Sequence, residues 1–181
     1  MNTIATRLCI FFCIILLTYP VYSKSKLDTE KNVFGIAEEV LVFKEKIKFK
    51  AKLDTGAMIS SLSASNIKRT KNKTTGKVWV SFQITDPQIG TLIDKKFPLK
   101  RYMSIKQHRK RINGKFKYMK RPVIMLPVCL GKQYYMIEIN LVDRSHFEYP
   151  ILLGTNALRL FNAVVDPSKE FTSTPMCEVM S

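Results

Sequence analysis

Residues 47–57 read Ile47-Lys48-Phe49-Lys50-Ala51-Lys52-Leu53-Asp54-Thr55-Gly56-Ala57. Apolar Ile47, Phe49, Ala51 and Leu53 alternate with Lys48, Lys50 and Lys52. Successive side chains of an extended backbone point to opposite faces, so a period of two predicts a half-buried strand. That strand delivers a carboxylate, Asp54, to its end, where Gly56 permits a sharp turn and Ala57 keeps it small. A carboxylate presented this way is placed for acid–base chemistry. Its plainer role is a turn aspartate bonded to its own backbone. A serine-rich run, Ser60-Ser61-Leu62-Ser63, follows.

Working outward, the same alternation recurs. Val40 to Phe43 reads as a short strand, Lys44-Glu45-Lys46 as a turn, and Met58 to Ala64 as a further extended stretch. Asn66 to Thr75 reads as a basic polar loop. Val78, Val80, Phe82 and Ile84 alternate, with Trp79 on the opposite face, until Asp86-Pro87 and Gly90 break the strand. Residues 95–121 hold twelve Lys or Arg and no Asp or Glu. Asn113-Gly114 within them is a strong two-residue hairpin signal, so this basic segment predicts an exposed β-ribbon. Pro122 to Leu130, the alternating Ile137, Ile139 and Leu141, and Pro150 to Gly154 add strands. Asn156 to Phe161 suits one or two helical turns, and Val164 to Pro167 a last short strand. Many short strands with one short helix near the C-terminus predict an all-β, barrel-like domain.

A chain of 181 residues accommodates one ordinary domain. Residues 1–23 read as a signal peptide. Arg7 precedes an apolar run from Leu8 to Leu17, and small Val21 and Ser23 suit a cleavage site. The run is shorter than the ~20 residues of a membrane span. The expected location is therefore secreted or periplasmic, or membrane-anchored if the segment is retained. Residues 24–32 form a leader, 33–168 the folded domain and 169–181 a C-terminal tail. Cys129 and Cys177 remain beyond the signal; they can pair in an oxidising compartment or stay apart, Cys129 as a small core residue.

Neither His108 nor His146 has a metal-ligand pattern around it. There is no His-Glu-x-x-His helix and no Gly-rich loop ending in Lys-Ser/Thr, so neither a metal nor any other cofactor is expected. The formal net charge of +16 suits an anionic partner, such as an acidic envelope polymer held on the basic ribbon, and equally a solvated surface. Nucleic acid is not expected for an exported chain.

Asp-Thr-Gly alone is a short motif; its context carries more. Leu53-Asp54-Thr55-Gly56-Ala57, with Ile151-Leu152-Leu153-Gly154-Thr155-Asn156-Ala157-Leu158 about a hundred residues on, resembles the retropepsin pattern of retroviral aspartic peptidases. The chain resembles more closely a bacterial retropepsin-like family that carries the label ATP-dependent zinc protease and occurs near RimK-type ATP-grasp peptide ligases. The matching segments are Phe34-Gly35, Glu38-Glu39-Val40, Ala51 to Ala57, Ser60 to Ala64, Arg121 to Ile124, Leu141 to Arg144, Tyr149 to Gly154 and Val165 to Pro167. The family usually has His where Ser63 stands and Arg where Thr155 stands.

The resemblance implies a closed acid-protease barrel with catalytic Asp54. Thr55, Gly56 and Ala57 would support the turn, and Leu153 and Gly154 would form the second motif behind it. It also implies a homodimer, in which a second Asp54 completes a carboxylate pair acting on a peptide or protein substrate. Two close carboxylates cannot both ionise, so they share a proton. Asn113 and Gly114 would tip a flap over the cleft. From the residues alone the second carboxylate stays open: Asp143, which beside Arg144 reads as an ion pair, and Asp166, a strand-end carboxylate, are the alternatives within one chain. The rival to an enzyme is a non-catalytic peptide- or polyanion-binding module on the same fold.

Overall fold

The computed structural model describes residues 30–112 and 115–178, without the side chains of residues 107–117. The signal segment and the Asn113-Gly114 turn lie outside the described residues. The strands are β1 (Asn32–Val42), β2 (Ile47–Asp54), β3 (Ser60–Ser63), β4 (Ser65–Lys71), β5 (Val78–Thr85) and β6 (Leu92–Pro98). β7 (Arg101–Ile112), β8 (Lys115–Leu130), β9 (Gln133–Val142) and β10 (Ile151–Gly154) follow. The helix α1 (Thr155–Leu160) leads to β11 (Ala163–Glu170).

The alternation in β2 does what its period requires: Phe49, Ala51 and Leu53 are buried while Lys50 and Lys52 are exposed. β1, β2, β10, β3, β9 and β8 hydrogen-bond in that order, and β8 returns to β1. The closing contact sets Val40, Leu41 and Val42 opposite Leu130, Cys129 and Val128. The result is the all-β barrel expected from the alternation. Phe43, Phe49, Leu53, Leu62, Ile124, Leu126 and Phe161 are among its large, fully buried side chains. Each contributes roughly 1.5–3 kcal/mol by leaving water. The ribbon of β7 and β8 extends from the barrel, pairing from Arg101 opposite Val123 out to Ile112 opposite Lys115.

A second sheet, in the order β4-β5-β6, packs on the barrel through Val80, Phe82 and Ile84. Phe97 of β6 bridges the two sheets, its ring centroid 5.9 Å from Phe43 and 6.1 Å from Phe82. Lys95 adds an ion pair to Glu45 at 2.8 Å and lies over the Phe43 ring.

Three elements differ from the sequence reading. Residues 65–71 form strand β4, not a loop. Every side chain of β4 is exposed, so no hydrophobic period marks it, and its charged edge position is how sheets discourage further pairing. β1 begins at Asn32, well before Val40, because Glu38 interrupts the apolar pattern yet is itself buried. β11 runs on to Glu170 as a parallel edge strand beside β1, where Pro167 is tolerated.

The segment after β11 is fastened to the barrel. Cys129 and Cys177 form a disulfide, deciding a pairing that their spacing left open. The Glu38 carboxylate accepts from five donors: the Gly35 and Thr172 amides, the Thr172 hydroxyl, and the amide and hydroxyl of Ser173. A buried carboxylate is tolerable only when so satisfied.

Two stability outcomes follow from these fastenings. Cys177→Ser should cost about 2–4 kcal/mol in chemical denaturation, and wild type melted with reductant should match it. For the Glu45–Lys95 pair, the Lys95 hydrogen bond holds the Glu45 carboxyl below its ordinary value. A lowered folded-state pKa means that this contribution is present above the unfolded pKa and is lost as pH falls through the folded one. Glu45 is largely exposed, so Glu45→Gln should cost only about 0.5 kcal/mol at pH 7. That difference should shrink as the melts are moved to increasingly acidic buffer and Glu45 takes up its proton in the folded state.

Candidate active site

Asp54 ends β2, half-buried, and its Oδ1 accepts from the Gly56 amide at 2.8 Å. This is the self-bonded turn that a short acidic side chain favours. The other carboxylate oxygen, Oδ2, has no hydrogen-bond partner among the described residues. Thr55 and Gly56 are exposed, Met58 is 69 % exposed, and the Thr55 hydroxyl likewise has no partner among the described residues.

The second motif is built directly under this turn. β10 runs parallel to β2 and antiparallel to β3, so it passes between the two strands that flank Thr55 to Ile59. Register sets Leu153 beside Leu53 and Gly154 beside Asp54. A Cβ on Gly154 would lie 2.8 Å from the Ala57 carbonyl oxygen and 2.9 Å from the carbonyl carbons of Met58 and Ile59. Only glycine fits there. The Gly154 amide donates to Ser60 Oγ at 3.1 Å, Thr155 N–H to the Ala57 carbonyl at 2.7 Å, and Asn156 N–H to the Met58 carbonyl at 3.1 Å. The first amides of a helix have no partner inside it; here α1 spends them on the Asp54 turn. Thr155, standing where the family usually has Arg, takes part through its backbone.

Beside the turn lies a polar row that the sequence reading missed. Ser61 of β3 stands in register with Leu152 of β10 and with Asn140 of β9. Asn140 is buried; its Nδ2 donates to the Ser60 carbonyl at 2.7 Å, and its Oδ1 accepts from Arg121 at 3.4 Å. Arg144, also buried, donates to Ser61 Oγ at 3.0 Å and to the Tyr149 carbonyl at 3.2 Å, and lies over the Phe147 ring. Its own amide donates to the Ser63 hydroxyl at 3.1 Å. Burial and then the neighbouring Arg121 push the Arg144 guanidinium below its ordinary range, while the Asp54 carboxylate acts the other way. Burial alone lowers Arg121, whose Nε is buried without a hydrogen-bond partner. Neither arginine has a carboxylate ion pair among the described residues. A cavity of about 250 Å³ adjoins Arg144, lined by Phe49, Ser63, Gln83, Asp143 and Phe147 among others.

The expected Asp143–Arg144 ion pair is absent, because Arg144 turns inward while exposed Asp143 accepts from the Ser145 amide at 2.8 Å. Asp166 is held at about 2 by the Ser168 hydroxyl and amide and by Lys169. No hydrogen bond joins either carboxylate to Asp54. Among the described residues no group of three His, Cys, Asp or Glu could hold a metal ion.

A barrel whose strand-end Asp-Thr-Gly turn rests on a threaded Leu-Gly strand defines the retropepsin-like class. A family model described as "Retropepsin-like aspartic endopeptidase RimB" matches residues 33–176, and the chain belongs to this RimB-like family. A Legionella pneumophila protein of unknown function, known from its crystal structure, superposes with a TM-score of 0.64 at 30% identity, over 80% of this chain and 100% of that one. A protein of Shewanella halifaxensis named probable alpha-L-glutamate ligase is 34% identical over 122 residues, 67% of this chain and 25% of that protein. One of the same name from Desulfotalea psychrophila is 29% identical over 143 residues, 78% and 29% of the two chains. The chain thus spans about a quarter of the length of the curated relatives it matches.

Gly154→Ala should displace the Asp54 turn and cost about 1–3 kcal/mol by overpacking. Ser60→Ala, which strands the buried Gly154 amide, should cost about 1–3 kcal/mol. Thermal melts of both variants check these values.

Proposed function

We propose that the chain is an aspartic endopeptidase that works as a homodimer, the two copies of Asp54 meeting on a two-fold axis. The observation that carries this reading is the turn itself. Asp54 is presented on a braced, exposed tip, with one oxygen unpartnered and no carboxylate hydrogen-bonded to it among the described residues. A symmetric partner supplies the same group by construction. The exposed Thr55 hydroxyls would then bind across the axis.

With one proton shared between the two carboxylates, the ionised one takes a proton from water and the protonated one gives its proton to the carbonyl oxygen of the scissile amide. The water oxygen bonds to the carbonyl carbon. Collapse of that adduct breaks the C–N bond, and the leaving nitrogen takes up a proton. The arms of the β7–β8 ribbon suit a flap that excludes water from this step.

The substrate we infer is an acidic peptide. Arg144, buried, and Arg121, half-buried, lie beside the Asp54 turn without a carboxylate partner among the described residues. The curated relatives are named for glutamate ligation. Guanidinium groups in such a setting suit a glutamate side chain by charge-assisted hydrogen bonds.

Asp54→Asn should abolish cleavage of a peptide library while leaving the melting curve in place, and equal activity would refute the assignment. Wild type should cleave best at acidic pH and sediment as a dimer at working concentration. A stable, inactive monomer would favour the non-catalytic binding module. Arg121→Met should raise KM for glutamate-rich peptides roughly tenfold, with little change for neutral ones.

A further inference from the structure

The second sheet takes no part in the chemistry assigned to Asp54. Its inner face is core, with Val80, Phe82 and Ile84 buried. The outer face has a different composition. Register sets Lys68 of β4 and Lys96 of β6 on either side of Ser81, and Thr70 and Pro98 on either side of Trp79. The Lys77 ammonium lies 5.2 Å from the Trp79 ring centroid and the Lys96 ammonium 5.6 Å from it. Lys68, Lys77 and Lys96 are exposed, and none forms an ion pair among the described residues. Asp94, opposite Gln83, is the acid on the outer side of β6.

Neighbouring strands lie ~4.8 Å apart, so Lys68 and Lys96 stand ~10 Å apart across β5. The arrangement is a half-buried indole with two ammonium groups over its ring and Lys68 diagonally across on β4, none in an ion pair among the described residues. Each cation–π contact at an exposed site contributes only about 0.5–1 kcal/mol, so an incoming anion can draw the ammonium groups off the ring. Solubility alone would be served by the lysines. The indole adds a flat apolar surface of the kind found at binding interfaces.

We propose that this face binds an acidic polysaccharide: the C–H faces of its sugar rings lie on Trp79, and its carboxylate or sulfate groups meet Lys68, Lys77 and Lys96. The Cys129–Cys177 disulfide favours a glycan over nucleic acid. Disulfides persist in oxidising compartments, where acidic glycans are accessible and nucleic acid is scarce. Sugar rings offer the indole successive saturated faces, which in a peptide only proline supplies. The site is separate from Asp54 and stands whether or not the chain cleaves peptides.

Trp79 is the chain's one tryptophan, so its fluorescence reports this face alone. The test titrates the full chain with heparin, a sulfated glycan rich in uronate, at two salt concentrations. We expect a saturable change in Trp79 emission, with affinity falling as salt rises. The Lys68→Glu/Lys96→Glu variant should bind at least tenfold more weakly while melting like wild type, and Asp54→Asn should bind unchanged. Should the charge reversal unfold the sheet, Lys77→Gln/Lys96→Gln is the comparison, with a smaller loss in the same direction. The proposal is overturned by an unsaturable or absent signal in wild type, or by undiminished binding in the folded lysine variants. It is equally overturned by a single-stranded oligo-dT titration that changes Trp79 emission at lower concentration than heparin does, which would make nucleic acid the occupant.

Discussion

The site depends on one close approach, that of Gly154 to the turn after Asp54. A strand can pass between β2 and β3 and under the turn joining them only if nothing projects from it at the crossing, and a Cβ there would meet the Ala57 carbonyl oxygen at 2.8 Å. With glycine in place, three amides at the β10–α1 junction reach upward: Gly154 to Ser60 Oγ, Thr155 to the Ala57 carbonyl and Asn156 to the Met58 carbonyl. The helix therefore needs no side-chain cap, and none is present. Orphan donors of the helix and orphan acceptors of the turn satisfy one another, which fixes Asp54 at the strand end without constraining its outward oxygen.

Two arginines lie inward beside this frame. Arg121 and Arg144 sit where a planar guanidinium can bond several oxygens and is less strongly hydrated than an ammonium, while Arg69, Arg101 and Arg159 stay exposed. Asn140 links Arg121 to β3, donating to the Ser60 carbonyl and accepting from Arg121. The acidic side of the ledger is mostly structural: Glu38 fastens the C-terminal segment, Glu45 docks the second sheet, and Asp166 closes its own turn. Among the described residues, the Asp54 side chain bonds only the Gly56 amide of its own turn.

The parts of the fold that were legible in sequence share one property, a face that enters the core. β2, β5 and β9 show their period because every second residue is buried, and β10 is legible because both faces are covered. β4 was unreadable for the opposite reason, since all of it is exposed. β1 was read short because Glu38 is polar and buried at once, a combination that depends on donors 134 residues away in sequence. At the site, the Asp-Thr-Gly turn was visible from local pattern, and the Leu153-Gly154 motif from the resemblance to retropepsins. Arg144 was misread as a partner of Asp143, because adjacency in sequence says nothing about which way a side chain turns. Arg121 looked like one more charge in a basic ribbon.

By itself, the sequence determined the class of the fold, the strand that carries Asp54 and the turn that presents it; that Gly154 lies behind that turn was implied by the resemblance to retropepsins. The first three follow from side-chain periodicity and turn chemistry, both local properties. Tertiary structure alone decided the rest: that Cys129 pairs with Cys177, that Glu38 anchors the distant Thr172-Ser173 segment, and that Arg121 and Arg144 converge beside Asp54. It also set Lys77 and Lys96 over Trp79. Each of these depends on how strands and loops pack together in space, which no local pattern specifies.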